Sequence, residues 1–168
     1  MHTDLNKMKL KLSSILIALI LISLWTELLT GSFMDWDSNF GPIALPNITS
    51  REQISEGSSF ANLSIDGDVE ISADNSAAAQ LSSASDTLVT EYKLTFDGTG
   101  SAGTTGGAGT NYETYDTFLT IAARVTHVIG DDDVEVTLHV KASNYPNDLA
   151  DAGTYTAAQT LTVHWVGP

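Results

Sequence analysis

The chain has 168 residues, no cysteine, and 21 acidic against 7 basic side chains, giving a formal net charge of −14. That length suits one domain, and the missing cysteine excludes disulfides and thiolate metal sites. The negative charge repels nucleic acid and anionic lipid surfaces, so neither is an expected partner.

The N-terminal stretch comes first. Lys7, Lys9 and Lys11 lead into "LSSILIALILISLW", residues 12–25, and the small residues Thr30 to Ser32 follow. A basic, then apolar, then small-residue order is the pattern of a secretory signal. The apolar run of about 14 residues is short of the roughly 20 that a membrane span needs. Residues 1–32 therefore read as a hydrophobic helix, either a cleaved signal or a retained anchor. Either way the product is exported, extracellular or at the cell surface, and touches membrane only through this segment. From Phe33 onward four basic and nineteen acidic residues remain, a charge of about −15, which favours solubility.

Residues 33–60 mix aromatics, prolines and polar residues without a period and read as an irregular N-terminal arm. Within it "GPIALPNI" (41–48) suits a short edge strand, because proline is confined to edges. From residue 61 to 168 the period becomes two, and this part reads as the β domain. In "LSIDGDVEI" (63–71), Asp66-Gly67 between alternating apolar residues predicts a two-residue hairpin, since such turns need positive φ at both central positions. Residues 73–86 are a small-residue connection with room for one helical turn at 77–81. "TLVTEYKLTF" (87–96) places Leu88, Thr90, Tyr92, Leu94 and Phe96 on one face. Six glycines in residues 97–110 predict a flexible surface loop. The loop lacks the Lys-Ser/Thr and the following helix of a phosphate loop.

"TFLTIAARVTHVI" (117–129) places Leu119, Ile121, Ala123, Val125, His127 and Ile129 on one side. After "GDD", residues 133–142 place Val134, Val136, Leu138 and Val140 inward, so 117–142 reads as a second hairpin. Residues 143–153 are turn-rich. The last strand sets Leu161, Val163 and Trp165 against Thr160, Thr162, His164 and Val166. Gln159 falls out of phase and predicts a bulge or sheet crossing there. Trp165 is expected among the larger buried side chains. Strands, turns and no amphipathic helix together predict an all-β fold, an antiparallel β-sandwich preceded by the N-terminal helix.

Candidate chemistry is sparse. No serine lies in Gly-x-Ser-x-Gly, and no Ser-His-Asp set stands out, so no catalytic activity is expected. His127, His139 and His164 lie on separate strands without ligand spacing. His127, on the apolar side, suits a half-buried, hydrogen-bonded imidazole. Two acidic turns carry Asp66 and Asp68, and Asp131, Asp132 and Asp133. Aspartate belongs in turns, where it bonds the local backbone. If the two turns meet at one end, they offer carboxylates for calcium, which takes six to eight oxygens. No other cofactor is expected. Tyr112 and Tyr115 are the one candidate aromatic pair for a glycan. Asn47-Ile48-Thr49 and Asn62-Leu63-Ser64 fit the N-glycosylation sequon.

Asp151, Gly153 and Tyr155 resemble the Asp-x-Gly-x-Tyr corner of immunoglobulin-like domains, in which the tyrosine hydroxyl bonds back to the chain. The corner there precedes two further strands, whereas one uninterrupted run follows here. "AGTYTAAQTLTVHWVGP" also resembles the closing strand of small exported pilin-like proteins of the spore coat protein U group. Gly153, Tyr155, Thr160, Leu161, Thr162 and Val163 carry that likeness, with "VTHVIGDDDVEVTLHVKAS" before them, though the cysteines common in the group are missing. The resemblance implies an immunoglobulin-like, pilin-like sandwich at the cell surface that self-assembles or joins other surface proteins by strand donation. Ile43, Leu45 and Ile48 of the arm are the side chains such a donated strand would insert. The expectation is thus a structural, surface-assembly subunit, and the alternative is a secreted adhesion module that binds calcium or a glycan.

Overall fold

A computed structural model describes residues 32–84, 86–144 and 150–167. The expected N-terminal helix of residues 1–32 lies outside them, apart from Ser32. The described residues are all-β, with eight strands in two antiparallel sheets. The strands are β1 (Met34–Trp36), β2 (Ile54–Ile65), β3 (Asp68–Ala73), β4 (Val89–Phe96), β5 (Glu113–Thr114), β6 (Ala123–Val125), β7 (Asp133–Ser143) and β8 (Leu161–Gly167). One sheet has the order β1-β2-β7-β4-β5 and the other β6-β3-β8. A 3-10 turn, Ala77–Ala79, sits in the small-residue connection.

Strand β7 is the centre of the larger sheet. Its alternation puts Val134, Val136, Leu138 and Val140 inward, all buried, because a strand turns successive side chains to opposite faces. It pairs β2 on one side, as in Leu63 with Val134, and β4 on the other, as in Leu94 with Leu138. Leu63 and Ile65 of β2, Val69 and Ile71 of β3, Tyr92 and Leu94 of β4, and Val125 of β6 join the same buried cluster. Both sheets thus contribute to one core. Tyr92, pushed up to about 12 by burial and then by Asp74, gives its hydroxyl proton to the Ala79 carbonyl at 2.6 Å.

The first half of β2 is built differently. Its inward side carries Ser55, Gly57 and Ser59, which fill little volume. The arm supplies that volume: Ile43 and Leu45 pack against the core, and a Cβ on Gly57 would meet both of them inside 3.0 Å. Ser55 Oγ fixes the arm by donating to the Pro46 carbonyl at 2.6 Å. Further back, Trp36 and Phe40 stack edge to face, with centroids 5.3 Å apart. The arm has no edge strand at 41–48, and two of the three side chains expected to serve a neighbour, Ile43 and Leu45, are used at home. Residues 54–60, grouped by sequence with the arm, belong to β2.

Both expected hairpins are sheet crossings instead. The chain passes at Asp66-Gly67 from β2 in one sheet to β3 in the other, and between β6 and β7 it crosses again. Gly67 does not have a positive φ. A glycine is needed there because the Trp165 ring and the Gly167 carbonyl occupy the space of a Cβ. The run 117–129 is strand only at 123–125. Phe118 N–H bonds the Thr114 carbonyl at 2.8 Å, and Thr120 N–H bonds Thr117 at 3.1 Å. These turn bonds interrupt the alternation: Phe118 is buried completely beside Leu119, Ala123 and Val125 are buried as expected, and Ile121 and Ile129, expected inward, are 88% and 95% exposed. In the last strand the expected alternation of Leu161, Val163 and Trp165 holds, but these three are only partly buried. The register shift falls between Asp68 and Val69 of the partner strand, not at Gln159.

Candidate functional site

The two acidic turns do meet at one end of the molecule. Asp68 is the hub, with Oδ2 2.6 Å from Arg124 Nη2 and Oδ1 accepting the His127 backbone N–H at 2.9 Å. The Arg124 hydrogen bond, with help from the His127 amide, holds the Asp68 carboxyl below its usual range despite some desolvation. The His127 ring is 12% exposed and places Nε2 2.9 Å from Asp132 Oδ1. The Asp132 carbonyl in turn accepts Ile65 N–H at 2.8 Å. His127 therefore ties the turn at 66–68, through its backbone N–H, to the turn at 131–133, through its ring.

The other carboxylates are engaged too. Asp66 Oδ1 accepts Phe33 N–H at 2.8 Å. Asp131 Oδ2 accepts Thr105 N–H at 2.6 Å, and its carbonyl accepts the Thr105 hydroxyl. Ser64 Oγ lies 2.5 Å from Asp37 Oδ2 and 2.6 Å from Asp133 Oδ1, and its one proton serves one of them at a time. The five aspartates read as calcium ligands are thus brought to one end, yet their oxygens turn to different partners. Among the described residues no three metal-ligating side chains converge.

Thr105 belongs to the glycine-rich loop, which is hydrogen-bonded into the fold. Gly106 and Thr126 exchange both backbone bonds, at 3.1 and 2.7 Å, and Gly107 N–H bonds Gly98 O at 3.1 Å. A Cβ on Gly98 would strike the Thr105 carbonyl, and one on Gly106, at φ +154°, would strike Gly98. These glycines let backbones touch; they do not loosen the loop.

On the outer face of the larger sheet, Tyr112 lies beside two of the few cations. Lys93 Nζ is 4.9 Å and Lys141 Nζ 4.7 Å from its ring centre, and Lys141 also pairs Glu91 at 2.7 Å. Tyr115, by contrast, packs against the core. The two tyrosines do not form a joint platform. His139 shares this outer face and contacts Thr95 Oγ1 at 2.8 Å.

The third feature is a groove. Strands β1 and β8 are each the last strand of their sheet, and among the described residues each has one unpaired edge. Met34, Trp36 and Leu63 line one side of a groove of about 240 Å³, and Leu161, Thr162 and Val163 line the other. Met34 is 41% exposed. Before β8, the Tyr155 hydroxyl donates to the Asp151 carbonyl at 2.7 Å, closing the Asp-x-Gly-x-Tyr stretch on itself.

Sequence reasoning missed Arg124, Thr105, Asp37 and the Met34–Trp36 wall. Arg124 left a trace, since it sits on the polar parity and its register partner is Glu70. Thr105 left none. Comparison with protein families, curated proteins and solved structures finds no match for the chain. What is established is the class: an all-β protein of two antiparallel sheets that share a core.

Proposed function

We propose that this is an exported structural protein, a non-catalytic subunit with an immunoglobulin-like, pilin-like β-sandwich that assembles at the cell surface by strand addition. The observation that carries this reading is the groove between the unpaired edges of β1 and β8, walled by Met34, Trp36, Leu161 and Val163. An unpaired edge offers a row of backbone donors and acceptors, and an apolar groove beside it offers pockets for alternate side chains. The self-closed tyrosine at 155 supports the immunoglobulin-like reading. Because Ile43 and Leu45 are packed in their own domain, the arm at 41–48 is not the donated strand.

The test is assembly. Size exclusion and negative-stain microscopy of the purified chain should show polymers that grow with concentration. Met34→Lys with Leu161→Lys should leave monomers whose melting temperature stays within a few degrees of the parent. A parent that is monodisperse at every concentration, or polymers indifferent to the double variant, would sink the reading. The meeting of the two acidic turns favours a second reading, a secreted calcium-binding adhesion module. Calcium must then displace Arg124, Thr105 and Ser64 from the carboxylates. A rise of several degrees in melting temperature with millimolar calcium, in a chain that stays monomeric, would establish it instead.

A further inference from the structure

We infer that Asn47 is an acceptor for an N-linked glycan and that Asn62, the other residue in the same sequence pattern, is not. The inference rests on the export reading, because the modification acts on chains delivered out of the cytoplasm. The two sites are identical at the level of pattern, Asn-x-Ser/Thr. The fold treats them differently.

The transferase must hold the asparagine carboxamide and the hydroxyl two residues on at the same time. It therefore needs a short stretch that can leave the protein surface. Residues 47–49 meet this requirement. Asn47 and Thr49 are exposed and Ile48 is only partly buried. No strand pairing involves them. Their hydrogen bonds run through one side chain: Gln53 Nε2 donates to the Asn47 carbonyl at 3.1 Å, and Gln53 Oε1 accepts Thr49 N–H at 2.8 Å and Thr49 Oγ1–H at 3.0 Å. The Asn47 carboxamide itself has no hydrogen-bond partner among the described residues. Releasing one glutamine frees the whole acceptor stretch.

Asn62 is exposed as well, but the backbone of residues 62–64 and the Ser64 hydroxyl are held in place. Asn62 pairs with Glu135 of β7. Its carbonyl accepts Asp37 N–H at 2.9 Å, and its own N–H bonds Ser38 Oγ at 3.1 Å. Leu63, the middle residue, is completely buried. The Ser64 hydroxyl stands between the Asp37 and Asp133 carboxylates. Exposing this acceptor means separating β2 from both neighbours, which costs much of the global stability, whereas a surface loop opens at small cost.

The substrate class is a lipid-linked oligosaccharide, a sugar carried on a polyprenyl phosphate or diphosphate. Asn47 Nδ2 attacks the anomeric carbon, the Nδ2–C1 bond forms, and the C1–O bond to phosphate breaks. The lipid phosphate leaves with the electron pair, and Nδ2 gives one proton to a base of the transferase. No oxidant or reductant is involved.

The experiment incubates the folded full-length chain with purified oligosaccharyltransferase and a synthetic lipid-linked oligosaccharide, and reads occupancy at both asparagines by peptide mass spectrometry. Free peptides spanning residues 44–52 and 59–67 are run in parallel. Both peptides should be modified. In the folded chain occupancy at Asn47 should exceed that at Asn62 by roughly tenfold or more, the ratio expected when one site opens locally and the other only with its sheet. Thr49→Ala should abolish the signal at Asn47, and Gln53→Ala should raise its rate. Equal occupancy in the folded chain, or an Asn47 that is modified in the peptide but not in the protein, overturns the inference. The purified transferase meets the chain without any export step, so failure here counts against the site alone. A native chain that keeps its N-terminal segment inside the cytoplasm counts against the export reading.

Discussion

Replacing Phe118 by alanine asks whether residues 114–122 are a turn or a strand. The Phe118 side chain is fully buried, and its ring lies 5.5 Å from that of Tyr92 at an interplanar angle of 36°. A buried aromatic side chain hides about 150–250 Å² from water, which at about 25 cal/mol per Å² amounts to about 4–6 kcal/mol for the whole group. Alanine keeps the Cβ and the cavity closes only partly, so the expected loss is about 3–5 kcal/mol. In a domain of this size each kcal/mol moves the melting temperature by roughly 3 °C, so Phe118→Ala should lower it by about 10–15 °C. Thermal and urea unfolding followed by circular dichroism measure this directly. Ile121→Ala is the paired control. Alternation puts Ile121 inside, but it is 88% exposed, and its truncation should change stability by less than about 0.5 kcal/mol. If Ile121→Ala proves the more damaging of the two, the segment is a strand and the argument from its turn bonds is refuted.

Asp68→Asn should cost about 1–2 kcal/mol at pH 7, a figure held down by the exposure of Arg124. The Asp68 pKa is depressed below 3.8, so its contribution is complete above that value and fades as pH falls through the folded-state pKa. The gap between variant and parent should therefore narrow as the pH falls below 3.8; a gap that stays constant over the whole acid range in which the parent unfolds would rule out the charge as its source. His139 has its pKa lowered from 6.5 by burial and then by Lys93, with Glu56 opposing. Its contribution is intact above 6.5 and is lost as pH falls below it, so His139→Gln should flatten the slope of the urea midpoint between pH 7 and 5. An unchanged slope would clear His139 of that role. Trp165→Ala should cost about 2 kcal/mol, less than a fully enclosed aromatic, because its ring is only partly buried. Gly67→Ala should cost about 1–3 kcal/mol through collision with that ring. The double variant should cost less than the sum of the two, and simple additivity would show that the ring does not lie over Gly67.

The strands that alternation placed well are β3, β4 and β7, where each inward position is filled by a residue that gains from burial. Leu88, Thr90, Tyr92 and Leu94, and then Val134 to Val140, occupy the side assigned to them. Alternation fails at 117–122 because local turn bonds compete with the ladder, and a period-two pattern cannot register them. It is silent on which strands pair. Asp66-Gly67 has the composition of a hairpin turn, yet its glycine answers to Trp165, almost a hundred residues away. The acidic end was half legible: aspartates in turns are visible in the sequence, but their juxtaposition through Arg124 and His127 depends on two crossings between sheets. The groove was not legible, since an edge is defined by the strand that is missing beside it.

Those crossings also set the order in which the molecule can form. Strands adjacent in the chain, β2 with β3 and β6 with β7, do not bond each other. The main ladder joins residues 54–64 to 133–143, as when Glu56 meets Lys141, and the smaller sheet takes its last strand from residues 161–167. Loops of that length must close before any ladder rewards them, which places folding on the millisecond-to-second scale typical of non-local β topologies. Until β7 arrives, β2 and β4 have nothing to join them. The ladder at the heart of the larger sheet therefore cannot close until every residue from 54 to 143 is free to take part.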